Sequence, residues 1–347
     1  MSARADRVEA RLVDVDVLLV TDSLNLRYLT GFTGSSGLAL LGPGVRRFVT
    51  DSRYTRRAAE EVEGFDVEEA PLRFLDVLEG LEGRIGFEDQ HVSVRQHARL
   101  RDVVAGELVA AGGLVEAERA VKDEVELRAI RAAAALADAA LQEGIADGLA
   151  GRTERDVALV IEAAMRREGA QPSFPTIVAA GENGASPHAT PRDVAIERGQ
   201  LVTVDWGAQL DGYCSDCTRT FAVGALDRPL ADLSALVEEA QAAGVAAVRA
   251  GAAGRDVDAV ARDVIAAAGH GEHFGHGLGH GVGLAVHEAP RLGRTSEDTL
   301  AAGNVVTVEP GVYVPGLGGL RIEDLVVVTD GDPEVVSGHP RSVVELD

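Results

Sequence analysis

Val202-Thr203-Val204-Asp205-Trp206-Gly207-Ala208-Gln209-Leu210-Asp211-Gly212-Tyr213-Cys214-Ser215-Asp216-Cys217-Thr218-Arg219-Thr220 is two β-rich runs around Asp211-Gly212. That dipeptide favours a two-residue hairpin turn. The turn sets Leu210 opposite Tyr213 and, further along, Gly207 opposite Asp216. Asp205 then shares a face with Asp216 as its diagonal cross-strand neighbour, with Cα atoms ~7–8 Å apart. Two unpaired carboxylates that close repel, so one takes up a proton or a cation sits between them. A one-residue slip would instead send them to opposite faces as solvated hairpin residues.

Two further segments bear on that choice. In His273-Phe274-Gly275-His276-Gly277-Leu278-Gly279-His280-Gly281-Val282-Gly283-Leu284-Ala285-Val286-His287-Glu288, alternating glycines let backbones pack closely and exclude a regular helix. Each imidazole offers a neutral nitrogen at pH 7. Taken alone, the run fits a flexible loop equally well. Val305-Val306-Thr307-Val308-Glu309-Pro310-Gly311 places a carboxylate at the end of an apolar strand. Arg321-Ile322-Glu323-Asp324-Leu325 opens another, and period two puts Arg321 and Glu323 on one face with Leu325. Charges on a core-side face need partners. Either they pair with other strands, or Glu309 and Glu323 join Asp205, Asp216 and one imidazole. That oxygen-rich set suits two Mn²⁺-like or Co²⁺-like ions better than a thiolate zinc site.

The 347 residues suit about two domains. Lys plus Arg number 33 against 56 Asp plus Glu, a balance of −23, and Lys122 is the only lysine. Such a surface repels phosphate backbones and anionic headgroups, so neither nucleic acid nor a membrane is an expected partner. No run approaches the roughly 18 apolar residues of a membrane span, and Met1 to Arg7 leads into no apolar signal region. A cytoplasmic location is expected. Cys214 and Cys217 are too few for a disulfide framework and, three apart in a strand, point to opposite faces, which disfavours a redox CxxC or a zinc half-site; two small core or half-buried thiols are expected.

Residues 1–121 alternate strands (Asp16 to Val20, Leu38 to Leu41, Arg47 to Thr50) with helical spacing (Tyr54 to Val62, Val94 to Glu107), an α/β pattern. Gly31 to Gly37 lacks the Gly-Lys-Ser/Thr ending of a phosphate loop and reads as a connection. Residues 122–347 open with an Ala/Leu/Glu-rich helix, Glu124 to Asp147. Helices from Thr153 to Glu168, with Thr153 as N-cap, and from Pro229 to Arg249 follow. Strands are expected at Leu201 to Val204, Tyr213 to Val223, Val305 to Val308 and Leu320 to Thr329. The segregation of strands and helices indicates α+β around a mostly antiparallel sheet.

These residues resemble the pita-bread metallopeptidases, the family of methionine aminopeptidase, aminopeptidase P and prolidase. Asp205 and Asp216 in Asp-x₁₀-Asp, His280 in Gly-His-Gly-Val-Gly, Glu309 in Val-Glu-Pro-Gly and Glu323 in Arg-Ile-Glu-Asp match its five ligand positions in order. Asn25 to Gly31 and Asp51 to Tyr54 resemble the smaller N-terminal domain of the aminopeptidase P, prolidase and creatinase branch, which methionine aminopeptidases lack. The resemblance implies two divalent ions, Mn²⁺ first, with Co²⁺ or Zn²⁺ as alternatives. Asp216 and Glu323 would bridge them, Asp205 would chelate one, and His280 and Glu309 would hold the other. It gives His188, His287 and Glu309 catalytic roles and puts His276 and Arg321 on the substrate side. The implied activity is hydrolysis of the Xaa-Pro bond at a free N-terminus, by an aminopeptidase first and a dipeptidase as the alternative, in a homodimer acting on proline-containing peptides. A metal-free creatinase-like hydrolase or a peptide-binding module would have no use for five intact ligand positions.

Overall fold

The computed structural model describes residues 2–70 and 74–346. Its chain divides into two compact units, Met1–Arg119 and Ala120–Asp347. The first is built on a six-stranded mixed sheet in the order Asp66–Glu69, Val45–Thr50, Leu38–Gly42, Val17–Val20, Arg84–Phe87, Glu107–Ala110. Val17–Val20 pairs antiparallel with Leu38–Gly42 and parallel with Arg84–Phe87. Buried on both faces, it reads as an unbroken apolar run. The helix expected over Val94 to Glu107 ends at Val103, because Glu107–Ala110 is needed as the edge strand beside Arg84–Phe87.

In the second unit, the helices Glu124–Ile145 and Glu154–Arg167 lie against the sheet strand Leu201–Trp206 and its antiparallel partner Cys217–Val223. Period two sorts these strands. Val202, Val204, Trp206 and Phe221 join Leu141, Ile161 and Met165 in the core, while Thr203 and Thr220 meet on the other face. The Thr153 hydroxyl caps its helix by accepting the Asp156 N–H at 3.0 Å. A second helix pair, Arg228–Ala247 and Gly254–Ala267, packs against Val306, Val308, Leu320 and Val326. These belong to Val305–Val308, Gly318–Arg321 and Asp324–Val327. Two helix pairs thus back two sets of strands whose other faces are left for chemistry.

The hairpin has the register read from its turn: Leu210 faces Tyr213, Trp206 faces Cys217 and Asp205 faces Thr218. Asp211 (φ 48°) and Gly212 (φ 86°) are both left-handed, as a tight hairpin turn of this type demands. Two expected strands are interrupted. Tyr213 to Val223 breaks at Ser215-Asp216, and Leu320 to Thr329 breaks at Ile322-Glu323. At each break the chain leaves one pairing for another, since Gly318–Arg321 pairs with Gly311–Val314 and Asp324–Val327 with Val305–Val308. Each break carries an acidic residue. Cys214 and Cys217 are both buried and form no disulfide, and they lie in separate clusters.

Candidate metal centre

Asp205, Asp216, His280, Glu309 and Glu323 converge on one cavity of about 830 Å³. His188, His276, His287 and Arg321 line the same cavity, so the structure brings all nine sequence-identified residues together. Ligand atoms of Asp216, His280 and Glu323 all lie within 4.8 Å of one another. His280 Nε2 is 3.6 Å from Asp216 Oδ2 and 3.4 Å from Glu309 Oε1.

Close backbone approach delivers the imidazole. A Cβ on Gly279 would stand 1.9 Å from the Thr307 carbonyl oxygen, and one on Gly281 2.1 Å from that of Ala289. Only glycines on either side of His280 let this strand sit between Glu288–Leu292 and Val305–Val308. From behind, Arg262 of the helix Gly254–Ala267 pairs with Asp258 and donates to the carbonyls of Phe274 and His276, at 2.8 and 2.7 Å. Asp258 accepts the Leu278 N–H.

The carboxylates are held in turn. Thr218 donates to Glu323 Oε2 at 2.7 Å and Thr307 to Glu309 Oε1 at 3.2 Å. Arg321, 4% exposed, donates through Nη2 to Asp205 at 2.5 Å, through Nε to Thr218 at 3.0 Å, and through Nη1 to the Tyr313 hydroxyl and the Pro187 carbonyl. Tyr313 also meets His276 Nε2 at 2.9 Å.

One buried guanidinium therefore faces four carboxylates. Burial raises the pKa of Asp205, with Arg321 opposing. Burial and the charges of the neighbouring acids raise Asp216 and Glu323 well above the carboxylate range. Burial pushes Glu309 up to about 7. Desolvation pulls His280 down to about 3 and His276 to about 4, so both imidazoles are neutral. This is the state expected where positive charge is lacking. Asp205 Oδ1 is also buried with no hydrogen-bond partner among the described residues. The donor set fits hard divalent cations: it is rich in oxygen, includes one neutral imidazole and contains no thiolate.

Sequence reasoning missed Thr218, Thr307, Tyr313 and Arg291. Thr218 and Thr307 stand two residues from Asp216 and Glu309, a same-face spacing that could have found them. Arg291 lines the cavity and is exposed, with no ion pair formed to it among the described residues. Its charge helps lower the pKa of His287, after burial. No sequence pattern separates it from the other surface arginines.

The chain covers known proteins nearly end to end. It is 41% identical over 340 residues to the uncharacterized peptidase YqhT of Bacillus subtilis, covering 96% of each chain. It is 33% identical over 346 residues to the Xaa-Pro dipeptidase of Pyrococcus horikoshii, 95% of each. Among solved structures, the Xaa-Pro dipeptidase from Bacillus anthracis superposes with a TM-score of 0.95 at 36% identity, over 99% of both chains. The X-Pro aminopeptidase from Thermotoga maritima gives 0.89 at 35%, over 97% of this chain and 99% of that one. Residues 5–121 match the creatinase/prolidase N-terminal domain and residues 128–330 match metallopeptidase family M24. The chain belongs to metallopeptidase family M24, with a creatinase/prolidase-type domain preceding a pita-bread catalytic domain.

Proposed function

We propose that this protein is an Xaa-Pro dipeptidase working with two divalent cations. The gathering of Asp216, His280 and Glu323 within 4.8 Å inside an acidic cavity carries the metal-dependent part. Asp216 and Glu323 would bridge the ions, Asp205 would hold one, and His280 with Glu309 the other. Such ions supply Lewis acidity and a water ionised near neutral pH. The oxygen-rich donors favour Mn²⁺, with Co²⁺ or Zn²⁺ as alternatives.

Glu309 takes the proton of the attacking water on a carboxylate oxygen and delivers it to the departing prolyl nitrogen. His287 donates to the oxyanion that develops on the scissile carbonyl. Phe174, Pro175 and Ile177, with His188 and His276, give the proline ring an apolar and aromatic wall. Arg321 keeps Asp205 and Tyr313 in place from behind.

The sequence alone puts an aminopeptidase first, and we rank the dipeptidase above it. Two similar proteins bear that name, one with the higher structural overlap. Arg291 adds a physical reason, since an exposed guanidinium without an ion pair on the cavity wall suits the free carboxylate that follows proline only in a dipeptide. The aminopeptidase remains the second reading, supported by the Thermotoga maritima structure. We further infer a cytoplasmic homodimer: two buried cysteines that form no disulfide suit a reducing compartment, and the dimer rests on the family likeness. Among the described residues no helix is long and apolar enough to cross a membrane.

Assaying Ala-Pro against Ala-Pro-Ala with Mn²⁺ tests this function. Preferred cleavage of the dipeptide supports it, preferred cleavage of the tripeptide selects the aminopeptidase, and cleavage of neither overturns both.

A further inference from the structure

Glu323 lies in the break between two strands, where ladder hydrogen bonds do not fix it. Its N–H donates to the Thr218 carbonyl at 3.0 Å, and its own carbonyl accepts from Cys217 Sγ at 3.3 Å and from Arg219 Nη1. Arg219 is almost fully buried and uses all five of its N–H groups. Nη1 also donates to the Thr218 carbonyl at 3.0 Å, and Nη2 to Asp324 Oδ1 at 2.7 Å. Nε and Nη2 both donate to the His339 carbonyl, at 3.0 and 2.6 Å.

His339 belongs to a strap that lies beyond residue 330, where the family match ends. The strap is tied down along its length. Gly338 N–H donates to Asp138, Val343 N–H to Glu238, and Val344–Leu346 pairs parallel with Phe221–Val223. Arg341 reaches back to Asp324 Oδ2, which also accepts from Gln241 at 2.8 Å. Asp324 is 0% exposed.

We propose that Arg219 is a positioning residue which, with Asp324 and Arg341, couples the C-terminal strap to the placement of Glu323 and of Thr218, the hydroxyl that orients the Glu323 carboxylate. A rigid fork with five donors can bind these carbonyls and Asp324 together, whereas a lysine with three donors cannot. The strap is therefore part of the metal centre's support although it contributes no ligand. This inference rests on the assignment of Glu323 as a metal ligand.

The test uses the full chain, metal-stripped and titrated with Co²⁺, following the d–d absorption and binding heat, with kcat and KM measured on Ala-Pro. Arg219→Lys is expected to weaken Co²⁺ binding about 10–100-fold, the usual effect of losing an outer partner of a ligand, and Arg341→Ala, which acts through Asp324, by about 2–30-fold, the size of coupling transmitted without direct contact. The d–d spectrum should change and kcat should fall more than KM rises, with Arg341→Lys restoring most of the loss. Arg341 is partly exposed, so its variant decides the matter if Arg219→Lys does not fold. Unchanged affinity and spectrum in folded variants overturn the coupling while leaving the metal assignment standing. Wild-type protein that takes up no Co²⁺ overturns the metal assignment and the coupling with it.

Discussion

Replacing Arg291 by alanine separates carboxylate recognition from the hydrolytic machinery. The guanidinium lines the cavity, is solvent-exposed and forms no ion pair among the described residues, so its removal leaves no buried charge behind. A hydrogen bond to a charged group contributes about 1.5–3 kcal/mol. Exposure and screening favour the lower end of that range. At about 1.4 kcal/mol per tenfold, Arg291→Ala should lower kcat/KM on Ala-Pro by about 10- to 30-fold, mainly through KM. Ala-Pro amide lacks the carboxylate and should lose less than about threefold, a difference below 1 kcal/mol. High salt should shrink the contrast, because surface charges are screened within a few ångströms at about 1 M ionic strength. Steady-state kinetics on both substrates, with metal content matched, provides the assay. Equal losses on dipeptide and amide, or no loss on either, would refute carboxylate recognition by Arg291.

Three further outcomes follow from the same geometry. Asp205, Asp216, Glu309 and Glu323 have folded-state pKa values above their ordinary ones, so the metal-free fold holds more protons than the unfolded chain. Metal-free stability should therefore fall as pH rises from the ordinary carboxylate range through about 7, where Glu309 titrates. The Tm gain on Mn²⁺ loading should be larger at pH 7.5 than at pH 5, and a gain that shrinks with pH would contradict this account of the site. Arg262→Ala breaks a buried pair with Asp258 and frees two carbonyls of the histidine segment, so urea denaturation should show a loss of about 3–5 kcal/mol. A loss below 1 kcal/mol would be inconsistent with that anchoring role. Gly279→Ala drives a Cβ against the Thr307 carbonyl and should abolish tight Mn²⁺ binding, whereas Gly275→Ala, which meets nothing within 4 Å, should leave it intact. Equal Mn²⁺ affinity in the two variants, read by calorimetry, would discard the close-packing argument.

Much of the centre was legible because its geometry is local. Asp211-Gly212 selects a tight turn, the turn sets the register, and the register puts Asp205 diagonal to Asp216. The glycines around His280 signalled a backbone approach that the Thr307 and Ala289 carbonyls make visible. The breaks at Asp216 and Glu323 were missed: Ser215-Asp216 and Glu323-Asp324 are poor β-formers, but the runs on either side are β-rich and read as one strand each. Only tertiary pairing decides where one sheet hands the chain to another. The helix over Val94 to Glu107 ran too long for the same reason, because its last residues have a strand partner 23 positions away, at Arg84. The five-donor fork of Arg219 could not be read at all, as its acceptors lie up to 120 residues distant.

Anomalous diffraction at the manganese edge, from crystals grown with Mn²⁺, addresses the central claim directly. Two peaks within the cavity are predicted, both contacted by Asp216 and Glu323, one also by Asp205 and the other by His280 and Glu309. Peaks lying elsewhere, or none in the cavity of a fully loaded and active protein, would contradict the account.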